Sequence, residues 1–141
     1  MKPDALRFIP IPTTPQHIRA WSRYWLPFLP LIAKRSKESI DQLIDRIITG
    51  YTQIALVWDG KEAHALIGMQ YTRRGEDLVA EIVWLTGRGM KDWTHLLPVM
   101  ECYLKEKAHC TVIRPICRPG WSRLLKQHGY KTTHIVMEHT L

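Results

Sequence analysis

The sequence predicts a single domain of the α/β (α+β) class over residues 1–141, with a mixed, mostly antiparallel sheet and helices on both faces. The composition is that of a globular protein that can bury one core, since 45% of the 141 residues are hydrophobic and 23% are charged. The apolar pattern switches between helical and strand periods in the order β-α-α-β-β-β-α-β-α-β. The hairpins in this order predict antiparallel strand pairs, and its one β-α-β crossover predicts two parallel neighbours.

The first predicted elements are a short strand and a helix. The strand, "LRFIPIP" at 6–12, is closed by prolines, which cannot continue a ladder of backbone hydrogen bonds. Thr14 and Pro15 then form a helix-start signal, and apolar residues recur after them at helical spacing. Pro27 and Pro30 break this spacing, so we expect the helix to end before them.

A second helix is predicted from a cap, an apolar stripe and a terminal glycine. Ser36 or Ser39 can cap its start, and Gly50 stands where a C-terminal glycine is favoured. The stripe consists of Ile40, Leu43, Ile44 and Ile47.

Three strands follow, joined by two tight turns. The segments 52–58, 63–71 and 78–85 are rich in β-branched and apolar residues. Asp59-Gly60 is a strong hairpin turn, and "RRGED" at 73–77 is a second turn. The third strand is apolar enough to lie in the middle of the sheet.

The C-terminal part predicts an amphipathic helix beginning near Asp92, a strand at 110–117, a short helix at 118–129 and a last strand at 130–140. Pro98 lies inside the first helical pattern, so it should kink that helix or delay its regular part. The crossover predicts that strands 78–85 and 110–117 are parallel neighbours that diverge toward the Gly87 end.

The connection Gly87-Arg88-Gly89 joins a predicted strand to a predicted helix. Glycines permit a tight turn, their N–H groups can face an anion, and a helix N-terminus adds a favourable dipole. Arg88 can add a charge-assisted contact to a phosphate. The alternative is that the glycines only turn the chain, because many strand-to-helix connections contain glycine. The short motif leaves both interpretations open.

The element order, "TGRG" before the central helix and "RPGWSRLLKQHGYKTTHIVMEHTL" at the end of the chain resemble the GNAT-type N-acetyltransferase superfamily. The family's Gly-aromatic step before the last strand corresponds to Gly129-Tyr130. The resemblance implies that acetyl-CoA, or a related acyl-CoA, binds with its pantetheine arm between the fourth and fifth strands. It also implies a pyrophosphate site at the glycine turn, formed by Gly87, Arg88, Gly89, Met90 and Lys91.

The resemblance further implies transfer of an acetyl group to an amine on a small molecule or protein. Family members often carry a glutamate on the fourth strand that takes a proton from the acceptor ammonium. Glu81 is the only acid in "LVAEIVWL" and is the candidate base; the alternative is a glutamate on a solvated strand face.

Two positions depart from the family pattern. Trp84 stands where the family turn has Gln or Arg, and Leu125 stands where many members have a tyrosine acid. Tyr130 or Tyr103 could replace that acid.

These departures favour a second hypothesis, a catalytically inactive GNAT-like binding or assembly module, for example of phage or prophage origin.

A third hypothesis is nucleic-acid binding, suggested by the net charge of +7 and six tryptophans. We consider a nucleic-acid partner unlikely on sequence grounds, because the charge is spread along the chain and most tryptophans lie in apolar patterns typical of a core. The largest basic segment is either a solvated face or a site for the 3′-phosphate of coenzyme A; it contains Arg114, Arg118, Arg123, Lys126 and Lys131.

The cysteines, histidines, apolar runs and tryptophans predict the location, metal content and oligomeric state of the protein. Cys102, Cys110 and Cys117 have no paired spacing, so we expect free thiols and a cytoplasmic location. The Cys and His spacings match no metal site, so we expect no metal. No apolar run fits a signal peptide or a membrane span. Exposed tryptophans at Trp21 and Trp25 would favour a homodimer.

Overall fold

The computed structural model describes residues 5–141 except the side chain of Met90. Within these residues five strands form one sheet, in which each strand lies beside its neighbours in the chain. The first three pairings are antiparallel, and the last, between the fourth and fifth strands, is parallel. The strands are β1 (Arg7–Pro10), β2 (Gln53–Trp58), β3 (Ala63–Arg74), β4 (Asp77–Gly87) and β5 (Val112–Pro115).

The helices fall into two groups, four between β1 and β2 and three after β4. Two short 3₁₀ turns, Leu26–Phe28 and Thr94–Leu96, link members of these groups. The helices are α1 (Pro15–Ala20), α2 (Ser22–Trp25), α3 (Leu29–Ser36), α4 (Ile40–Ile48), α5 (Met90–Trp93), α6 (Leu97–Glu106) and α7 (Pro119–Lys126).

The sheet separates two hydrophobic cores. Strand β2 shows the alternation: Ile54 and Leu56 pack in the core with α1–α4, whereas Ala55 and Val57 pack in the core with α5–α7. Successive side chains of a strand point to opposite faces, so a strand covered on both faces is apolar throughout. This confirms the predicted mixed, mostly antiparallel sheet with helices on both faces.

The helices of the first apolar pattern end at Trp25, before Pro27, as predicted. The sequence pattern did not predict the two segments that follow, the 3₁₀ turn Leu26–Phe28 and α3, which buries Leu29 and Ile32. Each proline lies in the first turn of its helical segment. A first-turn residue has no intrahelical acceptor for its N–H, so a proline there removes no hydrogen bond.

The other helix signals are confirmed. Ser39, not Ser36, caps α4 through a capping box, in which its hydroxyl accepts from the Gln42 N–H and the Gln42 side chain accepts from the Ser39 N–H. Pro98 lies in the first turn of α6, so the regular part of the predicted helix does begin late. No helix in residues 5–141 is long and apolar enough to cross a membrane.

The predicted last strand at 130–140 is wrong. Residues 130–141 form neither helix nor strand, and every residue from 131 to 141 is exposed. The segment has strand-forming residues, but a strand exists only when its N–H and C=O groups meet a neighbouring strand. The element order in the structure therefore ends in a helix.

The tryptophans are mostly structural. Trp25, Trp84 and Trp93 are buried, whereas Trp21 and Trp58 are half-buried and pack edge to face with 5.2 Å between ring centroids. Trp25 is only 3% exposed, so the predicted dimer surface made by exposed tryptophans at 21 and 25 is wrong at Trp25. Its indole N–H donates to the Ile18 carbonyl oxygen at 2.9 Å, which explains how this polar atom is tolerated in the core.

Candidate active site

The pairing of the parallel strands β4 and β5 stops before the end of β4. Their pairing runs from Val79 opposite Val112 to Ile82 opposite Pro115, and the Ile116 N–H donates to the Ile82 carbonyl oxygen at 2.9 Å. Strand β4 continues to Gly87 without a partner on this side. The two strands are parallel neighbours, as predicted, and their pairing stops on the Gly87 side; the predicted divergence stays a prediction.

A β-bulge lies at this point of β4. Residue Met69 pairs with Ile82 and Gly68 with Trp84, so Val83 is the extra residue. The bulge turns Trp84 onto the α1–α4 side of the sheet, where it packs across Gly68 and is 5% exposed. Trp84, which stands at a polar position of the family turn, is therefore a core residue.

The first two residues of the glycine turn are held by β3. Gly87 pairs with Ala65, and a Cβ atom on Gly87 would overlap the His64 carbonyl oxygen. The Arg88 N–H donates to the same oxygen at 3.1 Å. The Arg88 guanidinium lies 3.6 Å from the Glu62 carboxylate, and both side chains are largely exposed. At these two positions the turn serves mainly to hold β4 against β3.

Gly89 has a different role. Its backbone is left-handed, with φ of 65°, and it precedes α5 as the N-cap residue. A Cβ atom on it would lie 3.0 Å from a carboxylate oxygen of Asp92, whose N–H donates to the Gly89 carbonyl at 2.8 Å. The left-handed backbone and the nearby Asp92 carboxylate favour glycine here, although Lys37 and His109 adopt a similar φ elsewhere in the chain.

A shallow cavity of about 730 Å³, widely open to solvent, lies beyond the end of β4, between the glycine turn and the first turns of α7. Its described lining residues are Gly89, Lys91, Asp92, Arg118, Gly120, Trp121 and Leu124. In open α/β sheets, ligands bind outside the carboxyl ends of parallel strands, and cavities of ~300–1,000 Å³ are the usual size for cofactors. The structure thus brings Gly89 and Lys91 of the predicted site to the cavity wall, while Gly87 and Arg88 lie beside β3.

Positive charge dominates the cavity wall. Lys91 and Arg118 line it. A third cation, Arg35, lies near Arg118: its pKa is lowered mainly by desolvation and also by the charge of Arg118. None of the three forms an ion pair with any side chain in residues 5–141. Asp92 contributes the opposing carboxylate.

Trp121, the aromatic residue of the cavity wall, also contacts the core. Trp121 packs against Trp93 with 5.6 Å between ring centroids. Trp93 is buried, and its indole nitrogen is the one buried polar side-chain atom without a hydrogen-bond partner among the described residues. An unpaired buried donor is uncommon in a protein core.

Sequence reasoning did not select Gly120 and Trp121 as site residues. The available signal was "RPGW", in which a glycine again follows a strand and opens a helix. A Cβ atom at Gly120 would meet no atom within 4 Å, which shows that this position faces open space.

Glu81 lies away from this cavity, on a smaller one of about 340 Å³. Its carboxylate accepts a hydrogen bond from the Thr72 hydroxyl at 3.0 Å and lies 3.2 Å from the Arg114 guanidinium. The cavity is lined by Gly50, Tyr51, Gln70, Tyr71, Thr72 and Glu81. The carboxylate is thus fixed in orientation and partly shielded from solvent, while one side of it faces a polar cavity.

The candidate acids lie elsewhere. The Tyr103 hydroxyl accepts from the Gln53 amide at 2.7 Å, and the Tyr130 hydroxyl donates to Glu101 at 2.7 Å. Burial and this bond to Glu101 raise the pKa of Tyr130. Neither tyrosine is among the described lining residues of the two cavities, and Leu125 is a buried core residue.

Within residues 5–141, no three His, Cys, Asp or Glu side chains come together as a metal site. Cys102, Cys110 and Cys117 are free thiols. Burial raises the pKa of Cys110 and of Cys117, which keeps these two thiols protonated and weakly reactive.

Solved structures with this architecture include acetyltransferases. An aminoglycoside acetyltransferase from an uncultured soil metagenomic sample matches with a TM-score of 0.67 over 98% of this chain and 97% of that chain, at 9% identity. A probable acetyltransferase matches with a TM-score of 0.66 over 96% of both chains, at 13% identity. The fold is GNAT-like.

Solved structures with this fold also include a protein that is described as a transcriptional regulator. A transcriptional regulator from Bacillus halodurans matches with a TM-score of 0.62 over 96% of this chain and 99% of that chain, at 14% identity. No protein-family model matches the sequence, and no curated protein is similar to it. Identities this low show the fold alone, so the activity has to be argued from the site.

Proposed function

We propose that the protein is an acyl-CoA-dependent N-acyltransferase that transfers an acetyl group from acetyl-CoA to an amine. The observation that carries this proposal is the cavity of about 730 Å³ beyond the end of the β4–β5 pairing. The acceptor amine belongs to a small molecule or a protein. The three free thiols are consistent with a reducing cytoplasm, where we propose the protein works.

The wall of this cavity fits a cofactor that carries a nucleotide and phosphates. Lys91 and Arg118 supply positive charge that no acid in residues 5–141 pairs, Trp121 supplies an aromatic surface, and Gly120 leaves the backbone open to close approach. Asp92 weakens anion binding at the turn, so Lys91 and Arg118 have to outweigh it. Pyrophosphate binding then depends on residues 89–91 and on the first turn of α7, with Gly87 and Arg88 holding the turn in place. Acetyl-CoA supplies the activated thioester when it is bound.

The remaining chemistry is deprotonation of the acceptor. Glu81 accepts a proton from the acceptor ammonium, directly or through one water, and the neutral amine can then attack the acyl carbon. Thr72 and Arg114 hold the Glu81 carboxylate in one orientation. The polar cavity beside Glu81 is where the acceptor amine would lie. Neither Tyr103 nor Tyr130 is among the described lining residues of the two cavities, so the proposed reaction relies on positioning of the two reactants rather than on a tyrosine acid.

The second candidate keeps the cofactor site and removes catalysis. Trp84 and Leu125, which replace polar residues of the family, are both buried in the core. A GNAT-like module that binds an acyl-CoA without turnover would tolerate these replacements. The two candidates differ in one measurement, the release of free coenzyme A over a broad amine panel.

The cofactor site is tested by thermal unfolding with and without acetyl-CoA. At a free concentration of about 100 times Kd, binding stabilises the folded state by about 2.7 kcal/mol. For 141 residues, an unfolding entropy of about 2.1 cal/mol/K per residue converts this into a rise of about 9 °C in Tm. We expect Gly89→Val and Gly120→Val to reduce the rise strongly, and Lys91→Ala or Arg118→Ala to reduce it in part.

Gly75→Val is the matched control. Gly75 has φ of 60°, close to the 65° of Gly89, but it lies in the β3–β4 turn with nothing near its Cβ position. Gly75→Val should lower Tm, as Gly89→Val does, but should keep the full rise in Tm on addition of acetyl-CoA. No shift in the unmodified protein would refute the acyl-CoA proposal. Equal shifts in the unmodified protein, Gly89→Val and Gly120→Val would place the cofactor elsewhere.

A further inference from the structure

Strand β3 contains an extra residue beside the glycine turn. Two successive residues of β2, Val57 and Trp58, lie opposite Ala65 and Ala63 of β3. His64, between these two alanines, is therefore the extra residue of a β-bulge. A bulge residue is left without a partner in the strand ladder, and bulges are frequent next to active sites, where they redirect a residue. The backbone of His64 is thus not fixed by pairing with β2.

The side chain of His64 is tethered to the β2–β3 turn. Its Nε2 atom lies 2.7 Å from a carboxylate oxygen of Asp59. An ionised carboxylate only accepts hydrogen bonds, so Nε2 carries a proton and donates it to this bond. The other oxygen of Asp59 accepts from the N–H groups of Lys61 and Glu62 at 2.7 and 2.8 Å, and the Asp59 side chain is only 6% exposed. The tether therefore ends on a fixed acceptor.

The carbonyl group of His64 holds the glycine turn. Its oxygen accepts the Arg88 N–H at 3.1 Å, and a Cβ atom on Gly87 would overlap it. Gly89, which lines the larger cavity, is the next residue after Arg88. His64 thus connects the Asp59 carboxylate, through its side chain, to the glycine turn, through its carbonyl.

The same hairpin makes a second contact with the turn, which is weaker. The Glu62 carboxylate lies 3.6 Å from the Arg88 guanidinium, and the two side chains are 69% and 74% exposed. Ion pairs this exposed contribute little, because water and salt screen them. The contact that can fix the turn is therefore the backbone contact of His64.

We propose that His64 is a positioning residue for the acyl-CoA site: its bond to Asp59 fixes the bulge, and the bulge fixes residues 87–89 in the conformation that the cofactor phosphates require. This inference rests on the proposed function. A turn that is already ordered loses less conformational entropy when a ligand binds, so the tether strengthens acetyl-CoA binding without touching the cofactor. If loss of the tether lowers the fraction of chains with an ordered turn to about one tenth, the apparent Kd rises about tenfold.

Two substitutions of His64 test the tether. His64→Leu removes the donor, whereas His64→Gln supplies an amide N–H that can donate to Asp59 in place of Nε2. We expect the apparent Kd for acetyl-CoA, measured by isothermal titration calorimetry, to rise about tenfold in His64→Leu and to stay within about threefold of the original value in His64→Gln. If His64→Leu does not fold, His64→Ala makes the same comparison.

Hydrogen exchange of the free protein gives a second measurement, which needs no ligand. The Arg88 amide should lose protection in His64→Leu and keep it in His64→Gln. Thr111→Val is the matched control, because the Thr111 hydroxyl donates to Asp77 at 3.0 Å at the other end of β4. This control also removes one side-chain hydrogen bond, but it should change neither the Kd nor the protection of Arg88.

Unchanged Kd or unchanged Arg88 protection in His64→Leu would overturn the proposal. The same rise in Kd in His64→Gln or in Thr111→Val would overturn it as well, because the effect would then not depend on the bond to Asp59. If the unmodified protein does not bind acetyl-CoA, the proposed function fails and this role fails with it. Binding with equal Kd in the unmodified protein and in His64→Leu would refute the role of His64 alone.

Discussion

The contact between Gly68 and Trp84 gives a quantitative test of the core at the β4 bulge. A Cβ atom on Gly68 would lie 2.6 Å from Cε3 and 2.8 Å from Cδ2 of the Trp84 ring, and the ring is buried. Overpacking of this kind costs about 1–3 kcal/mol. With an unfolding entropy of about 2.1 cal/mol/K per residue over 141 residues, Gly68→Ala should lower Tm by about 3–10 °C.

The same substitution should have a different effect when the ring is absent. Trp84→Ala alone should destabilise by about 3–5 kcal/mol. In that background the two ring contacts are gone, and only the Cβ of residue 84 stays close, 3.0 Å from the new Cβ at position 68. Gly68→Ala should then cost less than it does beside the Trp84 ring, which gives a coupling energy of about 1–3 kcal/mol between the two positions.

The assay is urea unfolding of the four proteins of this double-mutant cycle, followed by circular dichroism. Trp84→Leu replaces Trp84→Ala if the latter does not fold. Effects of the two substitutions that add within about 0.5 kcal/mol would refute the packing described here. An increased destabilisation by Gly68→Ala in the Trp84 variant would refute it more strongly.

Three further predictions concern single positions. In an active N-acetyltransferase, Glu81→Gln should lower kcat/KM most at pH values where the acceptor amine is protonated; an unchanged pH–rate profile would remove Glu81 from the mechanism. Gly87→Ala should destabilise the protein by about 1–3 kcal/mol in urea unfolding, and by more than Gly75→Ala, because its Cβ would overlap the His64 carbonyl oxygen; equal losses would contradict this packing. Hydrogen bonds from His64 and from two backbone N–H groups lower the pKa of Asp59 from 3.8 to about 2, so its carboxylate stabilises the fold above about pH 4 and this contribution is lost as the pH falls toward 2. Asp59→Asn should therefore flatten the pH dependence of the urea midpoint between pH 4 and 2, and an unchanged slope would count against this role.

The parts of the fold that the sequence predicted correctly are those set by local patterns. Asp59-Gly60 between two β-rich segments predicts the β2–β3 hairpin, and a serine at 36 or 39 predicts the start of α4, which Ser39 caps. These signals depend on residues within a few positions of one another, so no tertiary information is needed to interpret them.

The errors arose where tertiary context decides. Pro27 and Pro30 disfavour continuation of one helix, but the chain places each in the first turn of a new segment, and Leu29 is then fully buried. Residues 130–140 have the composition of a strand but find no neighbour in their own chain. A pairing partner is a long-range property, and composition does not report it.

The candidate site shows the same distinction between local motif and tertiary arrangement. The sequence motif pointed to Gly87, Arg88 and Gly89 as one anion-binding turn, but the strand pairing of β4 with β3 engages the first two, and only Gly89 reaches the cavity. Gly120, some thirty residues later in the chain, provides the facing backbone position. The two positions follow β4 and β5, the two strands of the parallel pair, and both line the cavity. A cofactor bound there would contact two short segments brought together by the crossover, and a search for one contiguous glycine motif cannot find such a site.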